Sequence, residues 1–152
     1  MALSYLLTSI IVFLGLPIGI ILAYIAKEEI KPGKSYLVFF QSLLFLLIVV
    51  FLMYSFNLHI AVIIIIALLL IGLMYVLRYK YETTAIYPLL AVFLYMSSKN
   101  TNLFMIESSL IFLYGLPTGS LLINFKKNNY IKIILAHTTF LLVALIIFAI
   151  SK

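Results

Sequence analysis

Apolar residues in this chain fall into long blocks, and the polar positions gather in the short connections between them. A hydrocarbon core about 30 Å thick takes roughly 20 helical residues to cross. On that measure the pattern predicts six spans, over residues 4–26, 36–56, 58–77, 83–98, 103–125 and 130–151. The apolar stretch 36–77 is too long for one crossing, and Asn57 and His59 are its polar break. Asparagine tolerates the left-handed conformation that closes a helix, so a tight helical hairpin is expected there. The fourth span is short, and Pro88 deprives the Thr84 carbonyl of its helical donor. A full crossing is expected for it, with a re-entrant segment as the alternative. The first connection, Glu28-Glu29 followed by Lys31-Pro32-Gly33-Lys34, reads as a solvated turn in which Pro32-Gly33 ends a helix.

Laid on the spans, one motif recurs. Ser9–Ile11 and Gly15-Leu16-Pro17-Ile18-Gly19 return a hundred residues later as Ser109–Ile111 and Gly115-Leu116-Pro117-Thr118-Gly119. The copies fall in the first and fifth spans, which cross in the same direction, so the repeat is parallel and not inverted. It extends weakly into the following helix, where Gln41-Ser42 occupies the depth of His137-Thr138. The expected fold is therefore an all-α polytopic membrane bundle, a single transmembrane domain over residues 1–152. Its three hairpins are 4–56, 58–98 and 103–151, the first and last being related. Glycines four apart give a helix a groove in which another backbone can lie close. Pro17 and Pro117 leave the carbonyls of Phe13 and Leu113 without helical donors. Close packing of two kinked helices is the favoured reading. The sharper alternative is a pair of half-helices whose freed carbonyls coordinate an ion or polar solute.

Composition supports the membrane setting. Hydrophobic residues make up 66% of the 152 and charged ones 9%, whereas a soluble domain carries about a quarter charged residues. The excess apolar surface has to face lipid. The net charge of +6 does not point to nucleic acid, because the basic residues lie in connections between spans. Lys27, Lys31, Lys34, Arg78, Lys80, Lys126 and Lys127, with Lys132 beside them, fall on one side, and only Lys99 and Lys152 on the other. Positive-inside bias then puts both termini outside and the basic loops in the cytoplasm. We expect an integral protein of a prokaryotic plasma membrane, its first span retained because no basic region precedes it. Tryptophan is absent, which leaves Tyr5, Tyr36, Tyr54, Tyr79, Tyr81 and Tyr130 as interface anchors near span ends.

Candidate chemistry is sparse. Cysteine is absent, which excludes disulfides, thiolate metal sites and cysteine nucleophiles. Glu107 is the one carboxylate within a predicted span, and intramembrane charges mark function by default. It lies about 8 Å from the outer end of its helix, where snorkelling or pairing with Lys99 is the structural reading. His137, followed by Thr138 and Thr139, is better suited to an interhelical hydrogen bond than to a metal site, since it lacks neighbouring ligands. Gln41 and Thr138 complete the polar intramembrane candidates. Gly15, Pro17, Gly19, Gly115, Pro117 and Gly119 are the packing and kink candidates. No cofactor, metal site or catalytic residue is expected. The partners expected are the lipid bilayer and other membrane proteins or further copies of the chain. The leading functional expectation is a non-catalytic structural or assembly component of a membrane complex. The alternative is a small ion or solute channel or carrier using the kinked first and fifth spans and Glu107. An intramembrane enzyme is the least supported class.

Overall fold

In the computed structural model the described residues, 2–56, 58–80, 83–123 and 129–150, are almost all helical. The elements are α1 (Ala2–Phe13), α2 (Gly15–Ile25), α3 (Lys27–Ser55), α4 (Ile60–Lys80), α5 (Ile86–Ser97), α6 (Thr101–Leu122), α7 (Tyr130–His137) and α8 (Thr139–Ile150). A 3-10 turn, Thr83–Ala85, leads into α5. Asn57, Tyr81, Lys126, Lys127, Lys152 and the end of the expected fifth span lie outside the described residues.

Four helical stretches are long and apolar enough to cross a membrane: Ser4–Ile25, Lys27–Ser55, Thr101–Leu122 and Tyr130–Ile150. Among the described residues, Ile60–Leu70, the first part of the 21-residue α4, and Ile86–Ser97 are apolar but shorter. Length and composition of the described residues thus give four full-length crossings where six are expected. The fourth stretch falls short because its first residues form the 3-10 turn and only 12 residues are α-helical. Pro88 is the third residue of α5, in a first turn whose N–H groups have no intrahelical acceptor, so it breaks nothing.

Two further expectations are corrected. Pro32 does not end a helix: α3 begins at Lys27 and runs through Pro32 and Gly33 to Ser55. Proline's fixed φ is helical, and the one bond it removes, to the Glu28 carbonyl, lies at an exposed end where water can replace it. Nor do the two proline motifs behave alike. The first span is interrupted at Leu14, so that Pro17 becomes the third residue of a new helix, whereas α6 runs unbroken through Pro117.

The last span is interrupted too, at Thr138. His137 Nδ1 lies 2.7 Å from the Ile133 carbonyl, and Thr138 Oγ1 donates to Leu135 O at 2.7 Å. These side chains compete for carbonyls of the backbone ladder, and Leu135 O accepts from both the hydroxyl and the N–H of Thr138. At the other end of the bundle, Asn100 caps α6, its Oδ1 accepting from the N–H groups of Asn102 and Leu103 at 3.1 and 3.3 Å.

Ring contacts fix the relative directions. Tyr5, Phe13 and Tyr24 meet Phe148, Phe140 and Tyr130, so α1–α2 runs antiparallel to α7–α8. Gln41 reaches Thr118 while Phe45 meets Tyr114, so α3 runs antiparallel to α6. The core is mostly apolar: Leu16, Ile48, Val49, Leu90, Ala91 and Leu94 are fully buried. Large apolar side chains such as Ile25, Phe39, Leu68 and Ile146 stand exposed on the outside, as a lipid-facing surface requires.

Candidate functional site

The glycines come together. A Cβ built on Gly15 or Gly19 would fall onto the carbonyl oxygen of Phe112 or Leu116, and one on Gly119 onto that of Leu16. At Gly115 it would lie 2.7 Å from Gly15 C and Leu16 N. Residue numbers rise together along this contact, so α2 and α6 run parallel, backbone against backbone. Only glycine fits there, because each Cβ would meet main chain that cannot swing aside. Ser120 adds a bond across the contact, its hydroxyl donating to Gly19 O at 2.8 Å. It also reaches Leu116 O on its own helix, 3.0 Å away.

On the next face of α6 lies a buried stripe: Glu107, Ile111, Tyr114 and Thr118, spaced as one side of a helix and exposed by no more than 3%. Thr118 Oγ1 donates to Tyr114 O at 2.7 Å and accepts from Gln41 Nε2 at 2.8 Å. The Gln41 amide also lies 3.3 Å from the Tyr114 hydroxyl. Tyr87 of α5 stands against Tyr114, ring centroids 6.3 Å apart, and edge-on to His137 at 4.6 Å. Four elements, α3, α5, α6 and α7, therefore meet at one polar cluster. The Ile133 carbonyl can only accept, so the His137 proton sits on Nδ1.

Of the polar residues singled out from the sequence, Gln41 and His137 join this cluster. Thr138 does not: its hydroxyl turns back onto its own helix. Glu107 shares the stripe but lies two turns away. Continuing the antiparallel register of α3 and α6 brings it level with Leu52. It neither snorkels nor pairs with Lys99, which is exposed. Glu107 is wholly buried, and neither carboxyl oxygen has a hydrogen-bond partner among the described residues. Tyr87, Tyr114 and Ser120 were not anticipated. A position-by-position comparison of the two copies of the motif would have flagged Tyr114 and Ser120, which face Leu14 and Ile20 across the repeat.

A cleft of about 350 Å³ opens elsewhere, between α2, the first turns of α3, and α6. Ala23, Ala26 and Gly33 make the space, Phe40, Leu116 and Pro117 line it, and Glu29 and Tyr36 border it. Neither Glu107 nor His137 lines this cleft. Among the described residues, no three His, Cys, Asp or Glu side chains come together as a metal-binding group. No protein-family model, curated protein or solved structure matches the chain.

Proposed function

We propose that this chain is a six-span membrane bundle, oriented with its basic connections in the cytoplasm and built on a parallel repeat of its first and last hairpins. Its role in this reading is that of a non-catalytic component that assembles with other membrane proteins. The observation that carries the reading is the closed interior. Backbones touch at the glycines, the Gln41 amide bonds to Thr118 and Tyr114, and aliphatic residues fill most of the rest. A solute path usually needs several inward-facing polar groups open to water. The test is affinity purification of the full chain in mild detergent. Fixed partners at constant stoichiometry are expected, and a protein that always emerges alone would overturn the reading.

One observation favours a second reading, a small proton or cation carrier. A buried carboxyl without a hydrogen-bond partner is costly and is seldom retained without a use. Reconstituted vesicles test it: a proton or cation flux abolished by Glu107→Gln would replace the assembly role with transport.

The orientation has its own test, helped by the absence of cysteine. Single cysteines at Lys34, Lys80 and Lys127 should resist a membrane-impermeant thiol reagent on intact cells, while those at Lys99 and Lys152 should react. The reverse pattern would overturn the topology.

A further inference from the structure

The cleft between α2, α3 and α6 carries charge of one sign. On α3 its lining is Glu29, Ile30, Gly33, Tyr36, Leu37 and Phe40. At 3.6 residues per turn these fall within about 60° of Gly33 round the helix. Lys27, Lys31 and Lys34 lie at least about 100° from it, outside the lining, and all three stand exposed. Water and salt screen charges placed like that. Glu29 is thus the one charged residue in the wall itself. From α6 come Leu116, Pro117 and Ser120, and the Ser120 hydroxyl already donates to Gly19 O. Tyr36 and Phe40 add two aromatic rings, whose faces favour cations over anions. Glu29 sits at the exposed start of α3, while Phe40 lies eleven residues, about 16 Å, further along the helix. The volume of about 350 Å³ suits one compact organic molecule.

We propose that this cleft binds a lipophilic organic monocation, one whose positive charge is joined to an aromatic or aliphatic body. The body lies along Phe40, Leu116 and Pro117, and the charge faces Glu29. An organic anion of the same shape would meet the carboxylate and be repelled. A neutral apolar guest would gain the wall but not the charge. A small metal ion wants several oxygen ligands and holds its water firmly, so an apolar wall with one carboxylate suits it poorly. The proposal assumes neither the assembly role nor the transport reading, so it is measured on the isolated protein.

Tetraphenylphosphonium and tetraphenylborate, nearly equal in size and opposite in charge, separate the charge from the apolar contact. Saturable binding of each to the full chain in an uncharged detergent is measured by equilibrium dialysis. The phosphonium should bind saturably at a single site, and the borate should not. Glu29→Gln should weaken the phosphonium by about tenfold, the scale of one partly screened ion pair. Glu28→Gln alters the neighbouring carboxylate, which does not line the cleft, and should leave binding unchanged. A Cβ added to Gly33 meets nothing within 4 Å, so Gly33→Leu has room to enter the cleft and should abolish saturable binding. Equal binding of the two ions would mark a plain apolar groove and overturn the proposal. So would a lack of saturable phosphonium binding, or an affinity that Glu29→Gln leaves unchanged. If Gly33→Leu does not fold, the comparison of Glu29→Gln with Glu28→Gln decides by itself. Failure here leaves the partner purification untouched, and absence of protein partners leaves the binding result standing.

Discussion

The two copies of the Gly-Leu-Pro-Xaa-Gly motif use one face identically and another in opposite ways. On the glycine face they meet each other, and neither can carry a larger side chain. On the adjacent face the first copy presents Leu7, Ile11, Leu14 and Ile18, exposed by 37 to 58%. The equivalent residues of the second copy, Glu107, Ile111, Tyr114 and Thr118, are buried. Both copies are helical, the first with its interruption at Leu14, but their surroundings differ. Helices α3 and α5 cover the second copy's stripe, while the described residues leave the first copy's largely exposed. Lipid-facing positions accept plain aliphatics, whereas positions facing other helices can use hydroxyls and amides, because a polar group in hydrocarbon needs a protein partner.

The glycine face offers the most disruptive way to test the comparison. Gly119→Leu and Gly19→Leu should each cost at least about 1–3 kcal/mol, since overpacking meets backbone that cannot yield. Both should lower the thermal unfolding temperature in detergent by similar amounts despite the copies' unequal burial. The double variant should cost less than the sum, because one shared contact is broken twice. Gly72→Leu, where an added Cβ meets nothing, is the control and should be close to neutral.

Exchanging the stripe residues is the next step down. Thr118→Ile makes the second copy resemble the first and removes the shorter of the two bonds of the buried Gln41 amide, leaving it the Tyr114 hydroxyl. A loss of about 1 kcal/mol is expected for one buried hydrogen bond. The reciprocal Ile18→Thr, on the exposed face, should change stability by well under that. Equal effects would show that the two stripes do not differ in surroundings.

Ser120→Ala removes the hydroxyl bond to Gly19 across the parallel contact and should cost about 0.6 kcal/mol, typical of an interhelical bond in a membrane. The smallest shift is expected at Glu107. Glu107→Leu, which copies Leu7 of the first repeat, should leave the unfolding temperature unchanged or raise it, because the carboxyl has no partner to lose. A marked drop would mean that Glu107 is held by an interaction beyond the described residues.

Much was legible in the sequence because it rests on composition and short spacing. Blocks of apolar residues set the helices, and glycines four apart set where two backbones could touch. Helix ends were less legible. Pro32 and Pro88 looked like breaks yet lie in first or second turns, where a missing N–H costs little, and Pro17 and Pro117 share the Gly-Leu-Pro-Xaa-Gly frame but differ in helix continuity.

The chain's own sequence determined that it is helical, that its outer surface is apolar, and that two of its segments share a groove. Those follow from each residue's preference for hydrocarbon or water and from the bulk at Cβ. Only the tertiary structure decided which stripe of each motif turns inward, and that Gln41, Tyr87, Tyr114, Thr118 and His137 meet. It also decided that Glu107 is buried and does not snorkel. Those depend on which neighbour covers a face, and coverage is a property of distant segments. Gln41 and Thr118, 77 residues apart, carry no local sign of each other, yet they end up 2.8 Å apart.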